Sequence, residues 1–235
     1  MPLVGAAVIP TAPLLVPGVS ATLPDGLAEV HRAMAGALAR LEHVQLAVLV
    51  AAGEGGIYEG AEASLAGFGR PDLAVSLRAA EWPNDAARQA GPLPPGLAVL
   101  ALLLGGRAPV VPISVDADAT ADRLTGHGAS IATSLPGRGV LVAAGDLSAG
   151  LDERSPRHRV EGAVAWDDAV VGAVDAQLPE QLAALGPAEA RRAAALGWAP
   201  IVVAQAACIT AGLRLRARHY SAPRGVGYLI ATTDV

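Results

Sequence analysis

There is no lysine anywhere in the 235 residues, and all 17 basic side chains are arginine. Schiff-base chemistry and a lysine nucleophile are therefore excluded, because both need an amine that this chain lacks. Cysteine is nearly absent as well. The one thiol, Cys208, permits no internal disulfide and sits in an apolar segment, which marks it as a small core residue rather than a reactive group. Aromatic residues make up 3% of the chain against a hydrophobic share of 52%. A core must then be built from Ala, Val, Leu and Ile, a composition that suits close packing of helices on a sheet. No hydrophobic run approaches the roughly 20 residues that span a bilayer, the longest being Leu97 to Leu104. The amino terminus has no basic leader and is broken by Pro10, Pro13 and Pro17, so it does not read as a signal peptide. These absences predict a cytoplasmic protein with no membrane partner. Net charge is -5 with scattered arginines, which gives no nucleic-acid footprint.

The stretch that orders the rest runs from Arg138 to Pro156. Val140 to Ala144 is a continuous apolar run bounded by glycines, as expected of a strand covered by helices on both faces. Leu3 to Ile9, Val44 to Ala52 and Val110 to Val115 read the same way. Between them, Leu27 to Leu41 has helical spacing with Asp25 as a candidate N-cap, Leu97 to Leu104 reads as a buried helix, and Asp118 to Leu135 as a helix weakened by Gly126 and Gly128. Tyr58 to Gln89, with Gly60, Gly67, Gly69, Pro71 and Pro83, shows little periodicity and reads mostly as loop. Val160 to Ala176 and Pro187 to Ala211 are helical, the latter interrupted near Pro200. Leu213 to Tyr220 alternates with a period of two, and Val226 to Thr232 follows after a turn. The pattern predicts one three-layer α/β/α domain over residues 1 to 235, with a mainly parallel central sheet and a C-terminal antiparallel hairpin.

In such sheets ligands bind outside the carboxyl ends of the strands. Thr11, Gly53, Glu54, Asp146 and Ser148 fall there and form the candidate pocket. Asp146 and Ser148 read equally well as caps of the next element. The glycine-rich turn after Gly53 has neither the Lys-Ser/Thr of a nucleotide loop nor dinucleotide spacing. Arg154, Arg157, His158 and Arg159 form the one concentrated basic patch, which reads first as an exposed salt-bridged turn and second as an anion or partner site. Asp167 and Asp168 are adjacent on a helix and so diverge, a poor metal clamp. Ser148 has no Gly-x-Ser-x-Gly elbow around it, which argues against a hydrolase.

Three stretches together resemble class III extradiol ring-cleavage dioxygenases of the subunit-B type, closest to their small, uncharacterised actinobacterial branch. They are Pro-Leu-Leu-Val-Pro at 13 to 17, Gly-Asp-Leu-Ser at 145 to 148, and Pro-Arg-Gly-Val-Gly-Tyr at 223 to 228. The resemblance implies oxygen-dependent cleavage of a catechol-type ring by Fe(II) held on two histidines and a carboxylate, a triad that leaves metal positions open for substrate and dioxygen. It also implies assembly as a homo-oligomer or as a heteromer with a related subunit. The chain departs from that pattern at Thr11, where the first histidine is expected, near Gly53 and Glu54, where the second is expected, and at Ala149, where the acid/base histidine is expected. Its histidines are His31, His43, His127, His158 and His219. The expectation is a pseudoenzyme or non-catalytic subunit with no metal and no cofactor. Two alternatives stand beside it: an active enzyme that holds Fe(II) in a site rebuilt from Glu54, Asp146 and His127 or His158, and a small-anion or partner-binding module.

Overall fold

The computed structural model of the protein describes residues 3–41, 44–59, 62–78, 80, 82, 88–106 and 108–234; His43, Gly60 and Pro83 lie outside them. Apolar runs that stop at a glycine or a turn form strands, and the periodic segments between them form helices. The first half contains β1 (Leu3–Ile9), α1 (Leu27–Ala39), β2 (Leu46–Gly53), β3 (Gly56–Tyr58), β4 (Glu62–Leu65), β5 (Arg70–Ser76), β6 (Arg88–Gln89), α2 (Pro95–Leu104) and β7 (Val110–Asp116). The second half contains α3 (Ala121–Ser134), β8 (Gly139–Ala144), α4 (Ala163–Asp175), α5 (Pro179–Ala184), α6 (Gly186–Arg192), α7 (Trp198–Thr210), β9 (Leu215–Ser221) and β10 (Tyr228–Thr233).

Eight strands form one sheet in the order β6-β3-β7-β2-β8-β1-β10-β9. Its centre is parallel: β7 pairs with β2, β2 with β8, and β8 with β1. β10 then runs antiparallel to β1, and β9 closes the edge as an antiparallel hairpin with β10. Alternate residues of the central strands point to opposite faces, as the period of two demands. Val48, Val50, Leu141 and Ala143 join the cluster built with α3 to α7, while Ala47, Leu49, Val140 and Val142 join the one built with α1 and α2. The expected α/β class, with helices on the sheet and the terminal hairpin, is what is found. Burial of each Val, Leu or Ile in these layers contributes about 1.5–3 kcal/mol.

Two local expectations are corrected. Asp25 does not cap α1; Gly26, in the left-handed region at φ 83°, precedes the helix and no side chain caps it. Among the described residues from Tyr58 to Gln89 most are not loop, since β4 and β5 pair as an antiparallel ribbon and β3 and β6 extend the sheet. β5 was hidden because its residues are exposed or half-exposed and leave no apolar run. The helix over Pro187 to Ala211 is interrupted near Pro200, as expected, between the end of α6 at Arg192 and the start of α7 at Trp198, but Pro200 itself is not in the break. It lies in the first turn of α7, where a missing N–H costs nothing because those groups have no partner within the helix.

Candidate functional site at the carboxyl ends of the parallel strands

The parallel strands end on one edge of the sheet, with Thr11 beyond β1, Glu54 beyond β2, Asp116 closing β7 and Asp146 beyond β8. Thr11 and Asp146 meet. The Thr11 backbone N–H donates to Asp146 Oδ1 at 3.1 Å and Oδ2 at 3.0 Å, and the Thr11 hydroxyl donates to Oδ2. Burial pushes the Asp146 carboxyl above its ordinary range, with the Thr11 hydrogen bonds pulling the other way. Tyr228 pairs with Asp146 through an antiparallel bridge, and its hydroxyl is pushed up to about 12 by burial and then by that carboxylate. A Cβ at Gly197 would stand 2.6 Å from the Asp146 carbonyl oxygen, so the start of α7 sits directly against this node.

Ser148 points elsewhere. It is fully buried, and its N–H at 3.1 Å and hydroxyl at 2.5 Å both donate to Asp167 Oδ1, while the Tyr220 hydroxyl donates to Oδ2 at 2.7 Å. Burial raises the Asp167 carboxyl despite these donors. Neither Asp146 nor Ser148 caps a helix: one ties β8 to the segment after β1, the other ties it to α4.

The motifs at 145 to 148 and 223 to 228 are joined by backbone hydrogen bonds. Leu147 N–H donates to the Gly227 carbonyl at 2.8 Å, Gly227 N–H to the Ser148 carbonyl at 2.9 Å, and Leu229 N–H to the Gly145 carbonyl at 3.0 Å. Glycine is needed at 227 because a Cβ there would run into the Asp167 carboxylate, and at 145 because one would lie 2.5 Å from the Leu229 carbonyl oxygen. These shared residues are thus explained by packing of two segments.

Glu54 belongs to a separate place. A cavity of about 430 Å³ lies between β7 and α3, with Glu54 and Asp116 on the strand-end side and Arg123, His127 and Ser130 on the helix side. Gly53 and Asp116 are register partners, which brings the two carboxylates to adjacent strand ends. Burial, then the charge of Arg123, lowers the His127 imidazole below its ordinary value. Ile57, Trp82, Ile113 and Ile131, all buried, supply apolar lining. Gly53 itself packs tightly, since a Cβ there would be 2.8 Å from Ser114 Cβ.

Ala149 borders a different hollow of about 310 Å³ with Arg157, Asp118 and Arg191. Arg154 pairs with Asp152 at 2.8 Å and Arg159 with Glu153 at 3.9 Å, and Arg157 and His158 are exposed. The basic patch is therefore a solvated turn with local acidic partners, pairs that solvent screens. His31 lies on α1 and His219 on β9, where its Nε2 is 2.9 Å from the Ser221 hydroxyl.

The five candidate pocket residues thus divide among three places. Thr11 and Asp146 form one node, Ser148 joins Asp167, and Glu54 borders the β7–α3 cavity with Gly53 preceding it at the end of β2. Among the described residues, no three His, Cys, Asp or Glu side chains come together as a metal-holding group. Where the resemblance expects the two iron-binding histidines stand Thr11 and the Gly53–Glu54 turn, a donor set that does not fit Fe(II), Ala149 stands where it expects the acid/base histidine, and Asp146 is already engaged by Thr11. Arg123 and Asp116 were not singled out by sequence reasoning. The available signal was the four-residue spacing of Arg123 and His127, which puts both on one side of a helix.

The fold and this strand-end edge define an α/β protein with a mixed, mostly parallel eight-stranded sheet. No protein-family model and no curated protein matches the chain. It is similar to a solved structure, the uncharacterized protein JW3007 from Escherichia coli K12, with a TM-score of 0.61 and 13% identity over 98% of this chain and 99% of that one. At that identity the likeness establishes the shared fold alone. Among the described residues, no helix is long and apolar enough to cross a membrane.

Proposed function

We propose that this protein is a class III extradiol dioxygenase-like chain that does not cleave rings, acting as a pseudoenzyme or a non-catalytic subunit. The observation that carries the reading is the Thr11–Asp146 pair. Thr11 occupies the position where the resemblance expects the first iron-binding imidazole, and instead it supplies two donors to the carboxylate in the same crevice. A threonine hydroxyl that donates to a carboxylate is a structural clasp rather than a metal ligand. Ala149 supports the same reading, because a methyl group cannot exchange a proton with a substrate hydroxyl. The rebuilt-site alternative is disfavoured, since Glu54 and His127 border one cavity while Asp146 is held in another place.

The test is anaerobic titration of the purified chain with Fe(II), followed by oxygen uptake with a panel of simple catechols. The expected result is substoichiometric iron and uptake no faster than buffer with the same iron. Near-stoichiometric iron together with catechol-dependent oxygen consumption would overturn the proposal.

A further inference from the structure

The β7–α3 cavity carries a charge arrangement that the clasp at Thr11 and Asp146 does not use. Arg123 and His127 stand one helical turn apart on α3 and both border the cavity. Among the described residues, neither side chain makes a hydrogen bond or an ion pair, so two groups able to carry positive charge share a wall with no anion between them. Like-charged neighbours at this spacing repel on a helix, and an anion seated between them turns that repulsion into two charge-assisted hydrogen bonds.

The rest of the lining says what that anion is attached to. Ile57, Ile113, Ile131 and Trp82 are at most 9% exposed and continue the hydrophobic core into the cavity. Inorganic anions have no use for such a surface; a hydrocarbon body does. The volume of about 430 Å³ lies in the range of small-molecule sites, roughly 300–1,000 Å³. On the opposite side Asp116 Oδ1 is engaged by the Asp118 N–H at 2.9 Å, and Glu54 is exposed. Their negative charge disfavours a second anionic group and directs a single head toward α3.

We infer that the cavity binds a small amphipathic monocarboxylate, its head between Arg123 and His127 and its apolar body over Ile113 and Ile131. This goes beyond the proposed loss of ring cleavage and needs neither iron nor its absence.

The test titrates the full chain, without metal, with sodium hexanoate and with hexanamide, followed by calorimetry and by NMR of the His127 imidazole and the isoleucine methyl groups. Hexanoate is expected to bind saturably and shift His127, Ile113 and Ile131 together, whereas hexanamide shifts none. Arg123→Met, at an exposed position, should keep the fold by circular dichroism and weaken hexanoate by about tenfold, the scale of one charge-assisted contact. Arg191→Met, in the other hollow, should leave binding unchanged. Absence of saturable hexanoate shifts would overturn the inference, as would binding that survives Arg123→Met within about twofold or that hexanamide reproduces.

Discussion

A carboxylate that accepts three hydrogen bonds from two donors is ordinarily easy to ionise, yet at Asp146 burial outweighs them and pushes the group above its ordinary range. The folded state therefore holds its proton more tightly than the unfolded chain. Linkage then requires that Asp146 lower stability progressively as pH rises from the ordinary carboxyl value to the raised folded one, with the full cost present above that. Asp146→Asn removes the titration. The stability of the native chain minus that of Asp146→Asn, from urea unfolding at a series of pH values, should fall with rising pH across that window. A flat difference would show that burial does not dominate. Asp167, raised in the same way, contributes equally to both proteins and cancels. At this scale the residues were legible and their partners were not. Thr11 and Asp146 both stood out at strand ends, but 135 residues separate them, and no local pattern records that distance. Ser148 marked the same loop, and its true partner, Asp167, read only as half of a poor metal clamp.

Helix α3 carries two glycines that the sequence treats alike and the structure does not. Nothing lies within 4 Å of a Cβ built at Gly126, so Gly126→Ala should stabilise the protein by about 0.5–1 kcal/mol through the helix preference alone. A Cβ at Gly128 would lie 2.7 Å from Ala206 Cβ and 2.9 Å from Ala207 N on α7. Gly128→Ala should therefore destabilise, by about 1–3 kcal/mol from overpacking against backbone, despite the same propensity gain. Thermal unfolding of the two variants should move the midpoint in opposite directions; movement in the same direction would mean that the helices separate at little cost. The elements that were legible from sequence, β1, β2, β7 and β8, are those buried on both faces, where apolar residues run without a break. Those that were missed, β4 and β5, form a separate two-stranded ribbon, where exposure erases the signal.

Across the molecule, the alternation of strands and helices made the α/β class legible, whereas the order of strands within the sheet was not. Pairing between distant segments is settled by which faces are left to cover, and the chain shows this only when folded. Cys208 offers a probe at this scale. It is fully buried on α7, and burial pushes its thiol up to about 12. A bulky disulfide reagent should leave native protein unmodified and label it in denaturant along the same transition as the loss of helical circular dichroism. Rapid labelling without denaturant would mean that α7 opens locally. The sheet order has a further consequence for how the protein is made. β1 lies between β8 and β10, and its Ala6 is hydrogen-bonded to Thr233, 227 residues away. On a ribosome adding about 5–20 residues per second, that wait lasts roughly 10–45 s. Until β8 is made, one of the most apolar strands of the nascent chain has neither of its neighbours, and until β10 is made it lacks one, which makes it an apt ligand for a chaperone.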